Sequence, residues 1–170
     1  MALVKYNNNS ISAVTELAAV PAGALTHIKT ITSTGDSSIQ FINGSSSVVF
    51  DSTYPIYVLK LINCDTSTNQ NVYLDFTDDT SSHSFDLNIQ NSVFVAEHAE
   101  DGSSVARLDY SESYDVANGT NVGGGTSAYI FNINKGGMNS GSDSSASGEI
   151  YFFNPSSTTF VKHFILRINS

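Results

Sequence analysis

The chain has 170 residues, a length typical of one domain, and a formal net charge of −9. So acidic a protein would repel phosphate, which disfavours nucleic-acid binding. No apolar run approaches the roughly 18 residues of a membrane helix, and the single cysteine, Cys64, excludes an internal disulfide. Ser, Thr and Asn make up 57 of the 170 residues, and only 14% are charged.

The first twelve residues predict a short polar arm. Lys5 is followed by Asn7, Asn8 and Asn9, where a secretory signal would need an apolar stretch. This pattern predicts synthesis in a cytosol. It also predicts a single domain over residues 1–170, with an arm of about residues 1–12.

Most of the remaining chain has strand character. Residues 25–31 are rich in Thr and Ile, and Asn43-Gly44 predicts a tight turn between strands at 38–42 and 47–50. Residues 54–62 are almost continuously apolar, which predicts a strand covered on both faces. Clean alternation predicts two half-buried antiparallel strands, at residues 72–77 and 85–90. Further core strands are predicted at residues 93–95 and 128–131, and strands at 149–153 and 159–168 are predicted to close the chain.

Helical patterns are nearly absent, since residues 15–19 offer one turn at most before Pro21. Two long stretches, residues 119–125 and 136–148, are dominated by Gly, Ser and Asn and predict exposed loops. The predicted fold is therefore an all-β, antiparallel β-sandwich, jelly-roll-like, with long Gly/Ser/Asn-rich loops.

The sequence offers no convincing catalytic constellation. It has four histidines and many serines, but no Gly-x-Ser-x-Gly motif of a nucleophile elbow. The glycines at 123–125 are not followed by the Lys-Ser/Thr of a phosphate loop. We therefore predict no enzymatic activity, no catalytic residues and no cofactor other than a possible calcium ion.

One acidic cluster suggests calcium. Asp75, Asp78 and Asp79 span the end of a predicted strand and the turn after it, and calcium prefers such hard oxygen ligands. The alternative is a solvated acidic turn. The stretch Glu97-His98-Ala99-Glu100-Asp101 has too few nitrogen and sulfur ligands for zinc and predicts a polar strand end.

Four segments resemble a family of structural proteins encoded by marine tailed bacteriophages, including those of cyanobacteria. They are MALVKYNNNSISAVT at 1–15, DSTYPIYVLKLIN at 51–63, HAED at 98–101 and GEIYFFNPSSTTFVKHF at 148–164. The resemblance implies a virion component with a β-sandwich or jelly-roll body, no catalysis and no cofactor. Family members continue beyond the last segment with more strands, whereas this chain stops at Ser170. Uncovered sheet edges would then favour a homo-oligomer, with a trimer preferred.

Two functions follow from that resemblance. The first is a capsid decoration or cement protein, found in the virion after synthesis in the host cytoplasm. Its N-terminal arm would bind the major capsid protein. The second is a tail-fibre or receptor-binding module that recognises a host surface glycan through its loops and tyrosines. Neither function predicts nucleic-acid or membrane binding. The arm residues predicted to bind are Tyr6, Asn7, Asn8 and Asn9.

Overall fold

A computed structural model describes residues 25–79, 81–98, 106–117, 127–131 and 145–170. The chain divides into two compact units, Met1–Thr30 and Ile31–Ser170. In the first unit the described residues, 25–30, form no regular element, and His27 Nε2 lies 2.9 Å from Thr30 Oγ1 in a hydrogen bond. The organisation predicted above, one domain with an arm of about residues 1–12, stays a prediction.

Regular structure among the described residues of the second unit is almost entirely β. One 3-10 turn, Glu112–Tyr114, is the exception. The strands are β1 (Ile56–Cys64), β2 (Val72–Asp75), β3 (Gln90–Asn91), β4 (Phe94–His98), β5 (Ala106–Tyr110), β6 (Val116–Ala117), β7 (Ser127–Phe131), β8 (Ala146–Phe153) and β9 (His163–Asn169). All pairings are antiparallel, so the predicted all-β antiparallel class is confirmed.

The strands pair in a nested order. β1 pairs with β8, β2 with β7, β3 with β6, and β4 with β5. Strands early in the chain therefore pair with late strands in reverse order, as they do when one long hairpin is folded over on itself. β9 then joins the free side of β8, which completes a three-stranded sheet in the order β1-β8-β9.

Three segments that the sequence predicts to be strands do not pair with another strand in the structure. Residues 25–31, 38–42 and 47–50 are irregular. The predicted turn is nevertheless formed: Gly44 has φ +81°, and its N–H donates to the Val48 carbonyl at 2.8 Å. The Phe50 N–H donates to Asn43 Oδ1 at 2.9 Å. The Asn43 side chain thus accepts a hydrogen bond that the backbone of a partner strand would otherwise accept. The turn can therefore close although the segments on either side of it do not pair as strands.

In the segment at 85–90 the predicted side chains face inward, but little of the segment pairs with another strand. Ile89 is buried and Phe85 and Leu87 are half-buried, whereas Asp86 and Asn88 are exposed. Only Gln90 and Asn91 belong to a strand. Alternation in this segment predicted which side chains turn inward, but backbone pairing needs a neighbouring strand in register.

The core lies between the three-stranded sheet and the β2–β7 pair. Phe76, directly after β2, packs edge-to-face on Phe152 of β8 at 5.7 Å and against Phe164 of β9 at 5.6 Å. One cluster consists of Ile89, Val116 and Ala128, with Leu74, Phe76 and Phe164 packed on it; a second surrounds Ala146, with Leu61, Cys64, Val72, Ile130 and Ile168. Cys64 is a half-buried free thiol.

At Gly148, β8 lies very close to the backbone of β9. A Cβ at this position would lie 2.9 Å from Cα of Ile168 and still closer to the Arg167 carbonyl oxygen of β9. Because backbone atoms cannot yield as a flexible side chain can, only glycine allows β8 and β9 to approach this closely.

Candidate interaction surfaces

The predicted calcium ligands lie in and after β2. Asp75 is the last residue of β2 and is exposed, as is Asp78, while Asp79 is half-buried. Among the described residues there is no group of three His, Cys, Asp or Glu side chains placed to hold a metal ion. The calcium site stays a prediction.

The Asp79 carboxylate is instead the acceptor for its own turn. Oδ1 accepts from the Ser81 N–H at 2.7 Å and from the Ser81 hydroxyl at 2.9 Å, and Oδ2 accepts from the hydroxyl and N–H of Ser82. The bond from the Ser82 hydroxyl, followed by those from Ser81, lowers the pKa of Asp79 far below its ordinary value. The carboxylate is thus held ionised by local donors.

The predicted arm residues Tyr6, Asn7, Asn8 and Asn9 lie outside the described residues, and so does the Gly-rich stretch 119–125. The second predicted loop, residues 136–148, is described only at its end. There the expectation was wrong, because residues 146–148 are the start of β8: Ala146 pairs with Cys64 of β1, and Ser147 and Gly148 pair with β9. The small side chains at this end of β8 reflect close strand packing.

The β4–β5 hairpin exposes an apolar face. Phe94 is 72% exposed and Leu108 is 78% exposed, and the Phe94 ring contacts Tyr110 at 5.5 Å. The predicted core strand at 93–95 is therefore wrong for Phe94, which points away from the half-buried Val93 and Val95. We call this exposed set the hairpin surface; it consists of Phe94, Ala96, His98, Ala106, Leu108 and Tyr110.

Acidic side chains lie on the opposite face of the hairpin and at one of its ends. On the opposite face of the hairpin, Arg107 bonds Glu97 at 2.7 Å through Nε and lies 3.3 Å from Asp109. At one end the Tyr110 hydroxyl donates to Asp115, and this bond, with some influence of Glu112, raises the pKa of Tyr110. The carboxylates thus outnumber the single guanidinium, but Glu97 and Asp109 face away from the hairpin surface.

The outer face of the β1-β8-β9 sheet also exposes apolar side chains. Ile56 is 46% exposed, Ile165 is 47% exposed and Ile62 is 74% exposed. β1 was predicted to be covered on both faces, and the structure corrects this: its buried face holds Tyr57 and the other face is open. We call the open face the sheet surface; it consists of Ile56, Val58, Lys60, Ile62, Glu149, Tyr151, Phe153, His163, Ile165 and Arg167.

A charged row crosses the sheet surface. Lys60 of β1, Glu149 of β8 and Arg167 of β9 are direct cross-strand neighbours. Among the described residues, neither Lys60 nor Arg167 forms an ion pair. These residues line a shallow, open depression of about 530 Å³ that extends to Ile62. Glu149 also accepts a hydrogen bond from Tyr151, which raises the pKa of that phenol.

No protein-family description, no curated protein and no solved structure matches this chain. Among the described residues, no helix has the length and apolar character needed to cross a membrane.

Neither surface was predicted from the sequence. The signal for β5 was present, because Ala106, Leu108 and Tyr110 alternate with Arg107 and Asp109. That alternation predicts a strand with one apolar face and one charged face, but it does not predict which face packs against the rest of the protein. The natural expectation, apolar side inward, is reversed in the hairpin.

Proposed function

We propose that the chain is a non-enzymatic structural protein of a tailed-bacteriophage virion, with a jelly-roll body, and that it decorates the capsid by binding the major capsid protein. The nested strand pairing is the observation that supports this most. A jelly roll is an eight-stranded double sheet obtained by rolling up one long hairpin. The pairing of β1 with β8, β2 with β7, β3 with β6 and β4 with β5 follows the strand order of such a hairpin and so supports a jelly roll.

A jelly-roll body would be compatible with more than one class of function. Jelly rolls recur in viral capsid domains and in lectins. The phage resemblance of four segments favours the viral use among these. The hairpin surface and the sheet surface both expose several apolar side chains, which soluble monomers rarely do. This exposure favours a protein whose surfaces are covered by other proteins in an assembly.

A tail-fibre or receptor-binding module is the second candidate. The exposed Phe94–Tyr110 ring pair favours it, because aromatic faces stack on sugars. Calcium would belong to this candidate, through Asp75, Asp78 and Asp79. The decoration protein ranks first because it also accounts for the sheet surface, which presents isoleucines and no stacked aromatic pair.

Binding to empty capsids tests the proposal. Saturating protein should form a complex with capsids and raise their melting temperature, because a ligand that binds only the assembled shell stabilises it by mass action. A variant lacking residues 1–12 should fold but lose the complex if the arm makes the contact. An unchanged capsid melt without complex formation, combined with retention on host cells or a glycan array, would replace this proposal with the second candidate.

A further inference from the structure

We infer that Asn43 is a deamidation site, and that the closed turn formed by residues 42–50 slows the reaction in the folded protein. Asn43 is followed directly by Gly44, and both residues are exposed to solvent. The reaction needs no other protein, so it is independent of the proposed virion role.

Deamidation at an Asn-Gly pair begins with the backbone nitrogen of the glycine. Once a base has removed its proton, this nitrogen attacks Cγ of the Asn43 carboxamide. The new N–Cγ bond closes a five-membered succinimide ring, and the Cγ–Nδ2 bond breaks, so that ammonia leaves. Water then opens the ring at either of its two carbonyl groups, which gives aspartate or isoaspartate at position 43. The whole reaction consumes one water molecule and releases one ammonia molecule.

Gly44 leaves its own backbone nitrogen accessible to the carboxamide. A glycine has no side chain that could obstruct the approach of the two groups. The position also lies in open space, because a Cβ built there would have no neighbour within 4 Å. Water and base can therefore reach the reacting atoms from solvent.

One hydrogen bond of the closed turn opposes the reaction directly. The Gly44 N–H donates to the Val48 carbonyl oxygen at 2.8 Å. The nitrogen of a succinimide carries no hydrogen, so this bond must break before the ring can close. Val48 is only 3% exposed, and its burial holds the accepting carbonyl group in place.

The rest of the turn is held by further hydrogen bonds. The Phe50 N–H donates to Asn43 Oδ1 at 2.9 Å, which fixes the carboxamide itself. The Ser45 N–H donates to the Ile42 carbonyl oxygen at 3.0 Å, and the Val48 N–H donates to that of Ser45 at 2.9 Å. Because these bonds close one short loop, we expect deamidation to require that the turn opens.

Backbone strain favours that opening. Ser46 has φ 52° and Ser47 has φ 68°, so two consecutive serines adopt the left-handed conformation. Residues other than glycine adopt this conformation at a cost in free energy. The turn is therefore expected to open locally, while the strands stay paired, as exposed loops of low local stability do.

The two products affect the turn differently. Aspartate at position 43 keeps an oxygen that can accept the Phe50 N–H, and it adds one negative charge. Isoaspartate instead routes the main chain through Cβ and Cγ and lengthens it by one carbon atom. The hydrogen bonds that close the turn then lose their register, so the reaction converts a transient opening into a permanent one.

Peptide mapping by mass spectrometry, during incubation of the full chain in mildly alkaline buffer, tests the inference. A synthetic peptide of residues 40–47 is the reference, because it contains the Asn-Gly pair but lacks Val48 and Phe50. Asn43 should react at least tenfold more slowly in the folded chain than in the peptide. A turn that is open about one tenth of the time would react at about one tenth of the peptide rate. The chain unfolded in urea should react like the peptide.

Two neighbouring valines provide a matched pair of variants. Val48→Ala removes part of the buried anchor and should speed the reaction of Asn43, whereas Val49→Ala, at a residue that is 44% exposed, should leave the rate unchanged. Hydrogen exchange of the wild type gives the same test without a substitution. The amide protons of Gly44 and Phe50 should exchange faster than those of β8, with an open fraction that accounts for the deamidation rate.

Equal rates in the folded chain and in the peptide would overturn the inference, because the turn would then give no protection. An Asn43 side chain that stays intact in both the peptide and the urea-unfolded chain would overturn it as well. Failure of the chain to bind capsids would remove the proposed function and leave both deamidation rates unchanged.

Discussion

The three-stranded sheet and the β4–β5 hairpin have the same sequence pattern and opposite burial. In β9, the side chains of Phe164, Leu166 and Ile168 turn towards a second layer and are half-buried. In the hairpin the apolar side chains, such as Leu108, turn away from the molecule. Alternation divides a strand into two faces, but the presence of a second layer decides which face is buried.

This comparison predicts unequal effects of truncating apolar side chains in the two regions. Ile150→Ala, at a fully buried position of β8, should cost about 2–5 kcal/mol of unfolding free energy, because it leaves a cavity at a site that has no access to solvent. Leu108→Ala should change it by less than about 0.5 kcal/mol. Urea denaturation at low protein concentration measures both, and equal losses would show that the hairpin surface is buried in the folded monomer.

The close approach of β8 and β9 gives the next largest effect. Gly148→Ala should destabilise the protein by about 1–3 kcal/mol, because the new methyl group meets the β9 backbone. Gly44→Asn serves as the matched control. That position has φ +81° and open space around it, which asparagine tolerates, so its cost should be a few tenths of a kcal/mol. A tolerated Gly148→Ala would mean that the two strands do not pack as described.

A buried hydroxyl at the start of β1 should have a moderate effect. Tyr57 Oη donates to the Asp51 carbonyl oxygen and accepts from the Asp51 N–H, both at 3.0 Å. Tyr57→Phe should therefore lose about 1 kcal/mol in urea denaturation at pH 7. Tyr54→Phe, at a neighbouring exposed tyrosine, is the control.

The same residue predicts an alkaline pH dependence. Burial, and then the nearby Asp51 carboxylate, raise the pKa of Tyr57 above its ordinary value of 10.0. The folded state therefore holds the phenol proton more tightly, so this stability is present below pH 10 and is lost as the pH rises above it. Tyr57→Phe should flatten that alkaline loss in a series of thermal melts, and an unchanged profile would assign the loss to other groups.

The acidic turn should give the smallest effect. Its donors lower the pKa of Asp79, so the contribution is present at neutral pH and is lost as the pH falls through the folded-state value. Asp79→Asn should melt slightly below the wild type at pH 7 and converge with it in acid. Repeating the melts with calcium and with chelator tests the metal prediction, which requires a stabilisation by calcium that Asp78→Asn and Asp79→Asn remove.

The sequence predicted the elements whose pattern is strong and local. The alternation and apolar runs of β1, β2, β8 and β9 mark strands without reference to any partner. Pairing partners could not be predicted in this way, because Ile56 and Phe153 become neighbours through nearly a hundred residues of intervening chain. The exposed face of the hairpin could not be predicted either. Whether Phe94 is buried depends on whether another layer of the protein packs on its side of the strand, and the sequence pattern does not contain that information.

The sheet surface illustrates the same limit at a candidate site. Lys60, Glu149 and Arg167 are far apart in sequence and unremarkable singly. Only the register of β1, β8 and β9 aligns them into one row. A site composed of single residues from three strands leaves no motif in the sequence.

The copy number of this chain in purified virions tests the proposed virion role most directly. Quantitative mass spectrometry should give a ratio to the major capsid protein near a simple fraction, as expected of a protein that binds at symmetry positions of the shell. A handful of copies per particle would contradict the decoration role and favour the tail. Absence of the chain from the particles would contradict a virion role altogether.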